Sequence, residues 1–168
     1  MHLSFAAACG LTLLVPMASA DESASANADM SPLIFPPLIF ADGSGLPPGS
    51  GNAREGTGLY QTQCARCHGR NGEGGRALEL VGDRETLISA WPDRGIGVSW
   101  PYAPPLFDYI RRAMPPDSPY SLSVDDTYSI VARVLELNAL VDADTTVDAA
   151  FLSSLVMPNN NGFKQAIE

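Results

Sequence analysis

The sequence predicts an all-α fold with one folded domain between two extensions. The main observation is a helical face in which Val124, Tyr128, Val131 and Leu135 recur at steps of four, three and four residues. No stretch shows a strong strand-pair or hairpin pattern. The chain has 168 residues and an apolar fraction of 45%, which supports one hydrophobic core and not two full domains.

The first 20 residues are typical of a secretory signal peptide. They contain no Lys, Arg, Asp or Glu, and an apolar run from Phe5 to Val15 leads to the small residues Ala18-Ser19-Ala20. We therefore predict cleavage after Ala20 and a periplasmic location. The alternative is an uncleaved membrane anchor, but the run is shorter than the ~20 residues that span a bilayer. No later segment is apolar enough, so we expect no transmembrane segment.

Residues 21–53 form an arm rich in Pro, Gly and Ser. It contains two similar runs, Pro32-Leu33-Ile34-Phe35 and Pro37-Leu38-Ile39-Phe40, whose prolines exclude a regular helix. Exposed apolar runs of this kind promote aggregation, so other residues must bury them. Two interpretations remain open: the arm packs on its own domain, or it docks on a partner subunit.

Residues 54–140 are the expected folded core. A first helix carries Tyr60 and ends at Cys64, and Asp83 caps a short helix that includes Thr86, Leu87 and Ile88. A Trp/Pro-rich loop covers 91–101. A third helix opens at Pro105 and stops at Met114-Pro115-Pro116.

The longest helix follows a capping box formed by Ser123 and Asp126 and stops near Asn138. Residues 141–168 are a tail with a weak helix over 146–155. The net charge of −9 argues against nucleic acid as a partner, and the acidity lies mainly in the arm and the tail.

One short motif carries chemistry. Cys64-Ala65-Arg66-Cys67-His68 is the Cys-x-x-Cys-His signature of covalent haem attachment, in which two thiols bind the haem vinyl groups and the histidine binds iron. A redox-active pair would need a βαβ context, and a disulfide at this spacing is rare. A structural zinc site would need a fourth ligand. We therefore predict one covalent haem c, held by Cys64 and Cys67, with His68 as an axial ligand.

The second axial ligand follows by elimination. The chain after Ala20 has no further His or Cys, so the candidates are Met30, Met114 and Met157, or an open site. Met114 is favoured because it lies in a loop between two predicted helices, whereas Met157 lies in the tail. Trp100, Tyr102 and Arg111 are candidates for the haem pocket, where they would donate hydrogen bonds to propionates.

Several segments together resemble a known family. Gly58-Leu59-Tyr60, the Cys64–Gly69 segment and Ala113-Met114-Pro115 are similar to class I cytochromes c, and the segment from Trp100-Pro101-Tyr102 to Met114-Pro115 resembles the haem subunits of sulfite dehydrogenases and of the Sox-system sulfur dehydrogenase. The resemblance implies a class I cytochrome c fold. It also implies that a molybdenum-cofactor dehydrogenase subunit donates electrons, which pass to a downstream cytochrome c or oxidase.

Two other functions remain alternatives. In the first, the chain is a freely diffusing electron carrier for several partners. In the second, the methionine dissociates from the iron and the chain is a haem enzyme such as a peroxidase. Outside this second case, no independent catalysis is expected. Arg66 and Arg70 flank the attachment site, and we expect both to be free of strong acidic neighbours and available to the electron donor. The alternative is that both are solvated surface residues.

Overall fold

The computed structural model describes residues 37–162. The predicted signal peptide, the first run of the arm, Met30 and the last six residues lie outside this range. The helices are α1 (Ala53–Gln63), α2 (Ala65–His68), a 3₁₀ turn (Arg84–Ile88), α3 (Ile96–Ser99), α4 (Pro104–Ala113), α5 (Val124–Leu137) and α6 (Ala149–Ser154). Two short strands, β1 (Ser50–Gly51) and β2 (Val147–Asp148), pair antiparallel with Ser50 opposite Asp148. The all-α prediction is confirmed, with this small strand pair as an addition.

The centre of the fold is the crossing of α1 and α5. Gly56 of α1 lies against the backbone of Ser129 in α5, and a Cβ at position 56 would overlap the Ser129 carbonyl. Tyr60 in α1 and Tyr128 in α5 are fully buried. The two helices can approach this closely because the contact position is a glycine.

Helix α4 packs on the same core. Its buried face is formed by Leu106, Phe107 and Ile110, and the Phe107 ring lies 4.4 Å from the Tyr128 ring between centroids. Of the predicted face of α5, Tyr128, Val131 and Leu135 are fully buried, and Val124 is half-buried against the core. Burial of each such side chain contributes about 1.5–3 kcal/mol.

The predicted ends of α5 are confirmed. The Ser123 Oγ accepts a hydrogen bond from the Asp126 N–H at 3.1 Å, and Asn138 is the C-terminal cap. The buried Asn138 amide donates to the carbonyls of Leu80 (3.1 Å) and Val134 (2.8 Å). Asn138 therefore ties the end of α5 to the segment that follows the attachment motif.

Parts of both extensions pack on this core. Ile39 and Leu46 of the arm contact it, and the Tyr128 hydroxyl donates to the Pro47 carbonyl at 2.8 Å. In the tail, Leu152 and Met157 are buried in the same cluster. The second Leu-Ile-Phe run therefore lies on its own domain through Ile39, while its neighbours Leu38 and Phe40 are exposed.

Within residues 37–162, no helix has the length and apolar character needed to cross a lipid bilayer.

Candidate functional site

The predicted attachment motif forms a helical turn directly after α1. Helix α1 ends at Cys64, whose N–H donates to the Tyr60 carbonyl at 2.9 Å, and the His68 N–H donates to the Cys64 carbonyl at 3.0 Å. Cys64 and Cys67 are both free thiols and both half-buried. Burial and the neighbouring Cys67 raise the pKa of Cys64 to about 11.

A glycine-rich loop folds back over this turn and orients the histidine. Gly69, Gly72 and Gly74 adopt positive φ angles of 82°, 78° and 89°, which glycine adopts without strain. The Gly74 N–H donates to the His68 carbonyl at 2.8 Å, and the Ala77 N–H donates to the Cys67 carbonyl at 3.0 Å. The loop thereby carries the next residue, Leu78, to the histidine ring.

The His68 Nδ1 lies 2.8 Å from the Leu78 carbonyl oxygen. Because a carbonyl oxygen only accepts, Nδ1 carries a proton, and in the neutral ring Nε2 then keeps its lone pair. A hydrogen bond of this kind is the usual partner of a metal-bound histidine, since it fixes the tautomer and the orientation of the ring. His68 is therefore prepared to bind a metal through Nε2.

The two described methionine candidates have different environments. Met114 is the C-cap of α4 and is half-buried, with its side chain partly packed on the core. Met157 is 1% exposed and belongs to the core cluster itself. A thioether enclosed by protein on all sides cannot reach iron without repacking, so this arrangement favours Met114 over Met157.

The three candidate pocket residues have different surroundings. The Trp100 ring packs edge-on against Tyr109, with centroids 5.8 Å apart, whereas Tyr102 is 42% exposed. Arg111 lines a cavity of about 270 Å³ together with Ile39 and Leu46 of the arm. This position gives Arg111 a second candidate role, which is to cover the docked arm.

The expectation that Arg66 has no acidic neighbour is wrong. Its guanidinium donates a hydrogen bond to the Asp117 carboxylate, and both side chains are more than half exposed. This contact holds the pKa of Asp117 below its usual value. Asp117 follows Met114 by three positions, but it lies 51 positions after Arg66. No local sequence pattern could have linked residues so far apart. Arg70 is exposed.

The residues present fit a covalently held haem. Two free thiols lie one helical turn apart, the adjacent imidazole has its Nε2 available, and a half-buried thioether lies at the end of α4. These are the donor types of a His/Met-ligated haem c. In contrast, residues 37–162 contain no cluster of three His, Cys, Asp or Glu side chains that could hold another metal ion.

A family model described as cytochrome c oxidase, cbb3-type, subunit III matches residues 51–132. Over these residues the chain is similar to a cytochrome c domain. The matched residues include α1, the attachment turn, α4 and most of α5, and a domain of this type implies haem c.

Among solved structures, the crystal structure of the sulfane dehydrogenase SoxCD from Paracoccus pantotrophus is similar to this chain. The identity is 39%, the TM-score is 0.72, and the match covers 77% of this chain and 64% of that chain. This chain therefore spans somewhat less than two thirds of the length of that relative. No curated protein sequence matches the chain. The predicted resemblance to the Sox-system sulfur dehydrogenase is confirmed.

Two features of this candidate site were not predicted from the sequence. The Leu78 carbonyl is a backbone group, so its role has no side-chain signal. Asp117 was missed because its partner lies 51 positions away. Short-range sequence patterns identify the candidate ligand side chains, but they do not identify the groups that orient those side chains.

Proposed function

We propose that this chain is a periplasmic, monohaem cytochrome c that accepts electrons from a molybdenum-cofactor sulfite or sulfur dehydrogenase subunit and passes them to the respiratory chain. The observation that carries the proposal is the 39% identity to SoxCD over 77% of this chain, with the attachment motif inside the matched family domain. The predicted signal peptide supports the location.

In this proposal the chain's residues hold the haem and exclude other iron ligands. Cys64 and Cys67 would hold it covalently, and His68, through Nε2, and Met114 would ligate its iron. The bound group supplies a one-electron Fe(III)/Fe(II) couple. Two protein ligands at the iron would leave no room there for a substrate, which would favour electron transfer over catalysis.

Haem staining tests the cofactor assignment. The full chain, expressed with a cytochrome c maturation system, should retain one haem per chain after denaturing electrophoresis. The Cys64→Ser/Cys67→Ser double variant should lose the stain because both covalent bonds are removed. A wild-type protein without covalent haem would overturn the proposal.

Co-purification from the native periplasm tests the partner. We expect the tagged chain to elute with a molybdenum-containing protein and to become reduced when sulfite or a sulfur substrate of that protein is added. Elution as a separate haem protein that several donors reduce equally well would support the freely diffusing carrier instead.

A further inference from the structure

The Arg66–Asp117 pair joins the two segments from which the proposed iron ligands come. Arg66 lies between Cys64 and Cys67 in the attachment turn, and Asp117 lies in the loop that begins at Met114. The partners are 51 positions apart, so the contact is tertiary and not a consequence of local helix geometry. Through this contact the tip of the loop is tied to the attachment turn.

The rest of the loop is anchored to α4. The Met114 N–H donates a hydrogen bond to the Ile110 carbonyl at 2.9 Å. At the other end of the loop, the Tyr120 N–H donates to the Arg111 carbonyl at 3.2 Å. Between these anchors the Ser118 N–H donates to the Pro115 carbonyl at 2.9 Å, which closes a turn with Asp117 at its exposed tip. Movement of this turn away from α2 therefore separates Asp117 from Arg66.

We propose that the Arg66–Asp117 pair is a clasp that holds the Met114 loop against the attachment turn and so resists displacement of Met114 from the iron. The inference rests on the proposed function, in which His68 and Met114 are the axial ligands. Both residues act as positioning residues, since neither is a ligand. Because the pair is exposed, its effect is modest and depends on salt.

Imidazole competition measures this effect directly. Imidazole is titrated into the ferric full-chain protein at pH 7, and loss of the weak near-infrared sulfur-to-iron band reports the displacement of methionine. We expect Asp117→Asn and Arg66→Gln each to bind imidazole about 1.5- to 5-fold more tightly than wild type, the range for an exposed ion pair. In about 1 M salt, where the screening length is about 3 Å, the difference should shrink.

The charge-swapped double variant, Arg66→Asp with Asp117→Arg, should recover at least part of the wild-type affinity. Asp117→Asn lies outside the attachment motif, so it carries the test even if Arg66→Gln is matured poorly. The control is Asp144→Asn, because the Arg54–Asp144 pair is also exposed and also links distant segments, at 2.6 Å. This control should leave imidazole affinity unchanged.

The outcomes separate the clasp from the proposed function. If wild type shows the band but Asp117→Asn binds imidazole no more tightly than Asp144→Asn, the clasp is overturned and the ligand assignment stands. A wild type without the band, or a Met114→Leu variant that keeps it, overturns the ligand assignment and the clasp with it.

Discussion

The imidazole of His68 is oriented by a backbone carbonyl ten residues further along the chain. The bond from Nδ1 to Leu78 selects the tautomer whose Nε2 can bind iron, and the glycine loop between the two residues makes the contact possible. Glycine at positions 69, 72 and 74 is thus a requirement for the backbone path, since all three have positive φ.

The identity of the second ligand is a prediction at this same scale. We expect Met114→Leu to abolish the weak near-infrared band of the ferric protein, because leucine has no sulfur to bind iron. Met157→Leu should keep the band, since Met157 is a packed core residue and a volume-conserving exchange there costs less than about 1.5 kcal/mol. The measurement is the absorption spectrum of each oxidised variant.

The opposite pattern of spectra would assign the ligand to the tail. Loss of the band in neither variant would point to a ligand outside residues 37–162, where Met30 is the remaining methionine candidate. Haem content, measured after denaturation, serves as the control because it must be equal in all three proteins.

At the level of elements, the sequence predicts best what local chemistry decides. The Asp83 and Ser123 caps and the buried face of α5 agree with the structure, and α4 begins at Pro104, one residue before the predicted Pro105. Helix α3 and the β1–β2 pair were missed. A one-turn helix and a two-residue strand are too short to show periodicity, and they form because tertiary contacts hold them.

The α1–α5 crossing gives an element-scale prediction with an internal control. We expect Gly56→Ala to destabilise the protein by about 1–3 kcal/mol, because the added methyl group overlaps the Ser129 carbonyl and forces the helices apart. Gly58 is in the same helix, but a methyl group added there would meet no atom within 4 Å. Gly58→Ala should therefore stabilise the protein by about 0.5–1 kcal/mol through helix propensity.

Urea unfolding of the two variants, followed by circular dichroism, measures both free energies. The two changes in free energy need not be equal in size, but they must be opposite in sign. Stabilisation by Gly56→Ala would show that the helices do not cross at this residue.

For the molecule as a whole, the composition of the two extensions differs most from how their described residues pack. Composition marks residues 21–53 and 141–168 as an arm and a tail, yet Val147, Leu152 and Met157 are buried in the common core and β1 pairs with β2. Proline and glycine content reports the local backbone, whereas docking of an extended segment depends on contacts with residues far away. The Ser50 N–H, for example, donates to Asp125 at 3.0 Å.

Along the second run of the arm, side chains that are exposed alternate with one that packs on the core, and we expect the two kinds to have different roles. Ile39 and, further along, Leu46 pack on the core, whereas Leu38 and Phe40 are exposed by 60% and 58%. We expect Ile39→Ala/Leu46→Ala to lower the free energy of unfolding by about 2–4 kcal/mol in total, less than two fully buried positions would lose. Leu38→Ala/Phe40→Ala should leave stability within about 0.5 kcal/mol, as exposed substitutions usually do.

If the exposed side chains dock on the dehydrogenase, the Leu38→Ala/Phe40→Ala variant should bind it more weakly, while its haem spectrum and stability stay unchanged. Urea unfolding and equilibrium binding to the purified dehydrogenase, measured on both double variants, separate the two roles because each pair alters a different quantity. Equal binding by wild type and by Leu38→Ala/Phe40→Ala would confine this part of the arm to its own domain. Dehydrogenase docking would then have to use another surface.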